Sequence, residues 1–141
     1  MGGCTGGDDR RASAAALGLL IGVSHLRRDD RAHEAAPERL SAEELGEGLG
    51  ERATLVQFST AFCQPCRATR RILADVSALV PGVRHVEVDA ESRLELVRRL
   101  GITGTPTVLV LDPAGTVVKR ASGLPRKTEV LAALALAVPK V

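Results

Sequence analysis

Phe58-Ser59-Thr60-Ala61-Phe62-Cys63-Gln64-Pro65-Cys66-Arg67 is the stretch on which the reading of this chain turns. The residues leading into it, Thr54-Leu55-Val56-Gln57-Phe58-Ser59, are a short apolar, β-branched run, the pattern of a buried strand. Beyond it, Ile72, Leu73, Val76, Leu79 and Val80 recur at helical spacing, with Arg67, Arg70, Arg71 and Asp75 off the apolar stripe. A helix is therefore expected over 63–80, and Pro81-Gly82 stops it. A C-x-x-C pair thus falls where a strand gives way to a helix.

That placement has chemical content. Cys63 at the helix start meets unpaired backbone N–H groups and the positive end of the helix dipole. In such motifs a thiol falls from about 8.5 toward about 7 or below. The spacing of three brings Cys66 close enough to close an intramolecular disulfide and to resolve a mixed one. Pro65 suits the first turn, where its missing N–H has no helical partner to lose. Arg67, Arg70 and Arg71 add positive charge one to two turns up, screened by solvent. Two other readings compete. Half a zinc site would need two further ligands, yet Cys4, His25, His33 and His85 form no second knuckle, and three of them lie in the first 36 residues. The other is a buried, inert pair. Three cysteines are an odd set, unlike a secreted disulfide framework. They fit one redox or metal pair in a domain that folds without disulfides.

The pattern continues outward. Val83–Asp89 alternates as a strand, and 91–100 reads as a helix with Leu94, Val97 and Leu100 in one row, ended by Gly101. Thr107–Leu111 is a third strand, Asp112-Pro113-Ala114-Gly115 a turn, and 116–121 pairs back as a hairpin. Val130, Leu131, Leu134 and Val138 mark a closing helix. Ahead of the first strand, Ser41-Ala42-Glu43-Glu44 has the form of a capping box and opens a helix to about residue 49, weakened by Gly46, Gly48 and Gly50. The order is helix, then β-α-β-α-β-β-α: a parallel pair with a crossover helix, then an antiparallel hairpin, in one α/β sandwich.

Residues 1–36 read differently from 37–141. An uncharged run over 12–26 stands between Arg10-Arg11 and Arg27-Arg28-Asp29-Asp30-Arg31. It is short for a spanning helix, which needs about 20 residues. A short or degenerate membrane anchor, a signal-peptide apolar segment and a frayed helix on a tail all stay open. As an anchor, with two arginines before and three after, it favours a cytoplasmic domain. The expected location is the cytoplasm or the cell membrane, reached through 12–26. The charge sum, 19 basic against 17 acidic, and the near absence of aromatics (two Phe, no Trp, no Tyr) argue against a nucleic-acid partner.

Taken together, these segments resemble the thioredoxin family. The cysteine segment is similar to the family's Trp-Cys-Gly-Pro-Cys-Lys at the end of a strand. Gly101-Ile102-Thr103-Gly104-Thr105-Pro106-Thr107 is similar to its cis-proline loop, about 40 residues on, and Gly123 matches the glycine before its last helix. C-x-x-C alone is a weak signal, but with the Thr-Pro-Thr loop in a βαβ context it is a strong one. The resemblance covers roughly 38–138. It implies a thioredoxin-like three-layer sandwich with a mixed central sheet flanked by helices, and a thiol–disulfide oxidoreductase working as a monomer. Cys63 is then the nucleophile and Cys66 the resolving thiol. Phe62, Gln64, Pro65, Thr105 and a cis Pro106 facing Cys63 shape the substrate groove. The expected partners are protein disulfide or dithiol substrates and a thiol reductase or other electron donor. No metal or organic cofactor is implied, because the Cys63–Cys66 pair carries the electrons.

The departures are specific. Phe62 stands for the family Trp and lacks its indole donor. Gln57 stands for a buried Asp and cannot take a proton from the resolving thiol. His85 faces that position and is a candidate for proton transfer, or simply a half-buried strand residue. Thr105 replaces the common Ile, and its hydroxyl is expected to donate to the Cys63 thiolate. Two rival functions follow: a redox-inert binding module of the same fold, and a membrane-tethered extracytoplasmic reductase dedicated to one client.

Overall fold

Strand β1 (Ala53–Ser59) is buried along its whole length, and the sheet shows why. β1 pairs in parallel with β2 (Val83–Asp89) and antiparallel with β3 (Thr107–Leu111), so neither edge nor face meets water. β3 pairs antiparallel with β4 (Val117–Ser122), giving the order β2-β1-β3-β4. Burial at every position is what a doubly covered central strand shows, its polar Thr54, Gln57 and Ser59 included, whereas the edge strand β2 alternates. These relations come from a computed structural model, which describes residues 37–140. The expectations for the 12–26 segment, Cys4, His25 and His33 lie outside the described residues. Among those described, no helix is long and apolar enough to cross a membrane.

Among the described residues four helices complete the order: α1 (Ala42–Leu45), α2 (Gln64–Leu79) joining β1 to β2, α3 (Leu94–Arg99) before β3, and α4 (Lys127–Ala137) at the end. Leu73 and Val76 of α2 and Val130, Ala133, Leu134 and Ala137 of α4 pack on Ala53, Leu55, Val108 and Val110. On the opposite face, Leu45 of α1 and Leu96 and Leu100 at α3 pack on Val56, Phe58, Val86, Val88, Leu109 and Leu111. The architecture is the expected three-layer sandwich with a mixed sheet.

Three local expectations are corrected. The capping box forms, Ser41 Oγ accepting from Glu44 N–H and Glu44 returning to Ser41 N–H, but α1 ends at Leu45 rather than near residue 49. Gly46 ends it by adopting φ 74°, the left-handed C-cap that a residue without Cβ takes at little cost. α3 begins at Leu94, not 91, because Asp89 draws Glu91 N–H and the Ser92 hydroxyl into a turn of their own. Its buried row is Leu96 and Leu100, with Leu94 52% exposed. The apolar residues at 94, 96, 97 and 100 define two overlapping helical rows, and only packing selects one. The last strand also starts one residue later, at Val117.

Candidate active site

The junction between β1 and α2 carries the cysteine pair. Cys63 is the N-cap of α2 in extended conformation, with Gln64 and Pro65 opening the helix. The two sulfurs are joined in a disulfide, with Cα atoms 5.1 Å apart. The Cys66 backbone N–H donates to Cys63 Sγ at 3.2 Å. This is the helix-terminal donor that the sequence placed there, and it favours an anion on that sulfur once the bond is reduced. The cysteines differ sharply in access: Cys63 is half-buried, whereas Cys66 is 1% exposed. Phe62 next to them is 99% exposed, and Gln64 and Pro65 are also on the surface.

The Thr105–Pro106 peptide is cis. Pro106 is buried, its carbonyl accepts from Gly123 N–H at 2.9 Å, and Thr107 Oγ1 donates to the Gly104 carbonyl at 2.6 Å. With the cysteines in the disulfide, the Thr105 hydroxyl bonds with Thr60 Oγ1 at 3.2 Å, tying the proline loop to the residue that follows β1. Thr60 is a site residue that sequence reasoning missed.

Beneath Cys66 lies Gln57, fully buried and fully bonded. Its Nε2 donates to the Cys66 carbonyl at 2.8 Å and to Ser59 Oγ at 3.0 Å, and its Oε1 faces His85 Nε2 at 3.1 Å. His85 therefore faces the position expected of it, but its contact is with Gln57 rather than a thiol. Burial holds its imidazole below the ordinary histidine range, against the pull of the Glu87 carboxylate. Arg70 ion-pairs with Glu87 on β2, and its guanidinium is the main cause that holds that carboxyl below its usual range. The charge expected from Arg70 at the thiolate is thus largely neutralised by Glu87. Among the described residues no group of three or more histidine, cysteine or acidic side chains is placed to hold a metal ion.

A mixed sheet sandwiched by helices, with a C-x-x-C disulfide at a helix start and a cis-proline loop tied to the segment before it, defines the thioredoxin fold. The thioredoxin-like domain family model matches residues 42–137, and the chain belongs to that family. It is 28% identical to thioredoxin H5 of Oryza sativa subsp. japonica over 51% of this chain and 53% of that protein. It is 26% identical to a thioredoxin of Chlamydia trachomatis over 65% of this chain and 89% of that one. The chain thus spans about half the length of the rice relative. Among solved structures, a mutant thioredoxin from Halobacterium salinarum superimposes with a TM-score of 0.58 at 18% identity, over 64% of this chain and 79% of that one.

Proposed function

We propose that this chain is a thiol–disulfide oxidoreductase that exchanges dithiol for disulfide with protein substrates through Cys63 and Cys66. The observation that carries the reading is the asymmetry of the pair: one sulfur accessible at a helix N-terminus, its partner buried one turn in. In the reducing direction the Cys63 thiolate attacks one sulfur of a substrate disulfide. That bond breaks, one substrate thiolate leaves, and a mixed disulfide forms. The Cys66 thiolate then attacks the Cys63 sulfur, the second substrate thiolate leaves, and two electrons have passed from the pair to the substrate. The two protons released by the cysteines end on the substrate thiols through solvent. The pair itself carries the electrons, so the reading needs no metal or organic cofactor, only a thiol reductase or other donor to restore the dithiol. Exposed Phe62, Gln64 and Pro65 beside Cys63, with Thr105 and Pro106, form the proposed substrate contact.

Insulin reduction with dithiothreitol tests the activity, and Cys66→Ser tests the roles. Wild type is expected to accelerate insulin precipitation, and Cys66→Ser to trap mixed disulfides through Cys63. In the reduced protein, iodoacetamide is expected to modify Cys63 well before Cys66. No acceleration, with no trapped adduct, would identify the redox-inert binding module instead.

A further inference from the structure

We propose that Gln57, oriented by His85, is the positioning residue for the resolving thiol: the amide clamps the first turn of α2 to β1 at Cys66, and His85 acts by holding that amide rather than by accepting a proton. This deepens the oxidoreductase reading and rests on it.

The orientation of Gln57 follows from its partners. A backbone carbonyl only accepts, so the amide group that meets the Cys66 carbonyl at 2.8 Å must be the Nε2 donor. Oε1 is then the atom that faces His85 Nε2 at 3.1 Å. An amide oxygen only accepts, so His85 must carry its proton on Nε2. The vacant lone pair of the neutral ring is left on Nδ1, the nitrogen that does not face Gln57. Gln57 thus stands between His85 and Cys66, and the nitrogen turned toward the active site has no lone pair to offer.

The surroundings agree. The charged groups acting on His85 are Glu87 on its own strand, Arg70 from α2 and Glu47 from the segment after α1, while β1 presents Leu55 and Gln57. Arg70 and Glu87 neutralise one another. Burial disfavours the imidazolium, so near neutrality the ring is neutral, and its Nε2–H tautomer supplies the donor that the clamp needs. Gln57 is 0% exposed, and no buried side-chain polar atom among the described residues lacks a partner. Removing the His85 donor would leave Oε1 unpaired and free the amide to turn away from Cys66.

The test reads Cys63 and Cys66 separately by the reaction of the reduced full chain with 5,5′-dithiobis(2-nitrobenzoate), every protein including the wild-type reference carrying Cys4→Ser so that the third cysteine releases nothing. Cys63 attacks the reagent and releases the first thionitrobenzoate. Cys66 then attacks the Cys63 sulfur of the mixed disulfide, loses its proton to solvent and releases the second. His85→Leu and Gln57→Met are expected to leave the first phase near wild type, which also reports that the fold is intact. They are expected to slow the second phase by about tenfold, the kinetic equivalent of one lost buried hydrogen bond. His85→Gln, which restores a donor at similar reach but does not titrate, is expected to recover the second phase at every pH tested. A second phase as slow in His85→Gln as in His85→Leu, together with loss of a wild-type inflection below pH about 6.5, would make His85 a base and overturn the proposal. So would a His85→Leu second phase as fast as wild type. A wild type that releases only the first equivalent would refute the oxidoreductase reading itself, and the proposal with it.

Discussion

Thr105→Val tests where the hydroxyl beside Pro106 makes its hydrogen bond. The family resemblance aims it at the Cys63 thiolate of the reduced protein, whereas the structure, which holds the disulfide, bonds it to Thr60 Oγ1 at 3.2 Å. The two placements differ in kind and in size. A bond from the hydroxyl to a thiolate is charge-assisted, worth about 1.5–3 kcal/mol, and exists only in the reduced protein. For a two-electron couple about 1.4 kcal/mol corresponds to about 30 mV, so its loss would lower the reduction potential by about 30–65 mV. A bond between two neutral hydroxyls is worth about 0.5–1.5 kcal/mol and involves no redox group, so it drops out of the potential. Valine keeps the shape and removes the donor. The expected result is a potential within about 10 mV of wild type and a loss of about 1 kcal/mol in unfolding free energy, equal in the oxidised and reduced proteins. Glutathione redox titration measures the first and urea unfolding in both redox states the second. A fall in potential of about 30 mV or more, or a stability loss confined to the reduced protein, would refute the reasoning.

Gln57→Asp puts a carboxyl into a site without solvent exposure, where burial raises its folded pKa above the unfolded value of about 3.9. Between those values the native state holds the extra proton, so stability falls as pH rises; urea unfolding should show a deficit at about pH 7.5 that exceeds the one at about pH 4 by some 2–3 kcal/mol, and equal deficits would count against burial. For Glu87 the sign is opposite: Arg70 depresses its folded pKa, so the pair contributes above the unfolded value of about 4.3 and is lost as pH falls through the folded one. Both side chains are partly exposed, so Glu87→Gln should cost only about 0.5 kcal/mol at neutral pH, and progressively less as pH falls below about 4.3, by the same unfolding measurement. Leu73→Ala should cost about 2–5 kcal/mol in thermal or chemical unfolding because the side chain is fully buried against the sheet. Exposed Leu79→Ala should stay within about 0.5 kcal/mol, and equal losses would mean that α2 presents a different face.

What the sequence made legible was local. β1 is readable because a strand covered on both sides is rich in apolar and β-branched residues, as Leu55, Val56 and Phe58 beside Thr54 are; that Gln57 and Ser59 would also be buried was not readable from the pattern. The start of α2 is readable because Cys63, Pro65 and Cys66 fall within one turn, where capping geometry depends on neighbours alone. The seat of α3 was not readable: Leu94, Val97 and Leu100 fit a helical row as well as Leu96 and Leu100 do, and the choice was made by the sheet beneath. The partner of Thr105 lies 45 positions away, so no periodicity points to it.

The site uses its charges in an unexpected place, and this bears on how the pair reacts. The donor that the structure gives Cys63 Sγ is a backbone N–H, and the side chain that holds Cys66 is an uncharged amide. The nearby ions, Arg70 and Glu87, are bonded to each other across α2 and β2, while His85 is turned to Gln57. Fixed dipoles differ from ionisable groups in keeping their strength as pH changes. Under the proposed chemistry, such an arrangement would give Cys63 a thiolate-stabilising field that does not titrate, and would leave the buried Cys66 to release its own proton with help from position alone. Orientation then has to supply what a neighbouring base would otherwise contribute. That requirement would give a physical reason for a buried glutamine to be so completely bonded at the point where β1, α2 and Cys66 meet.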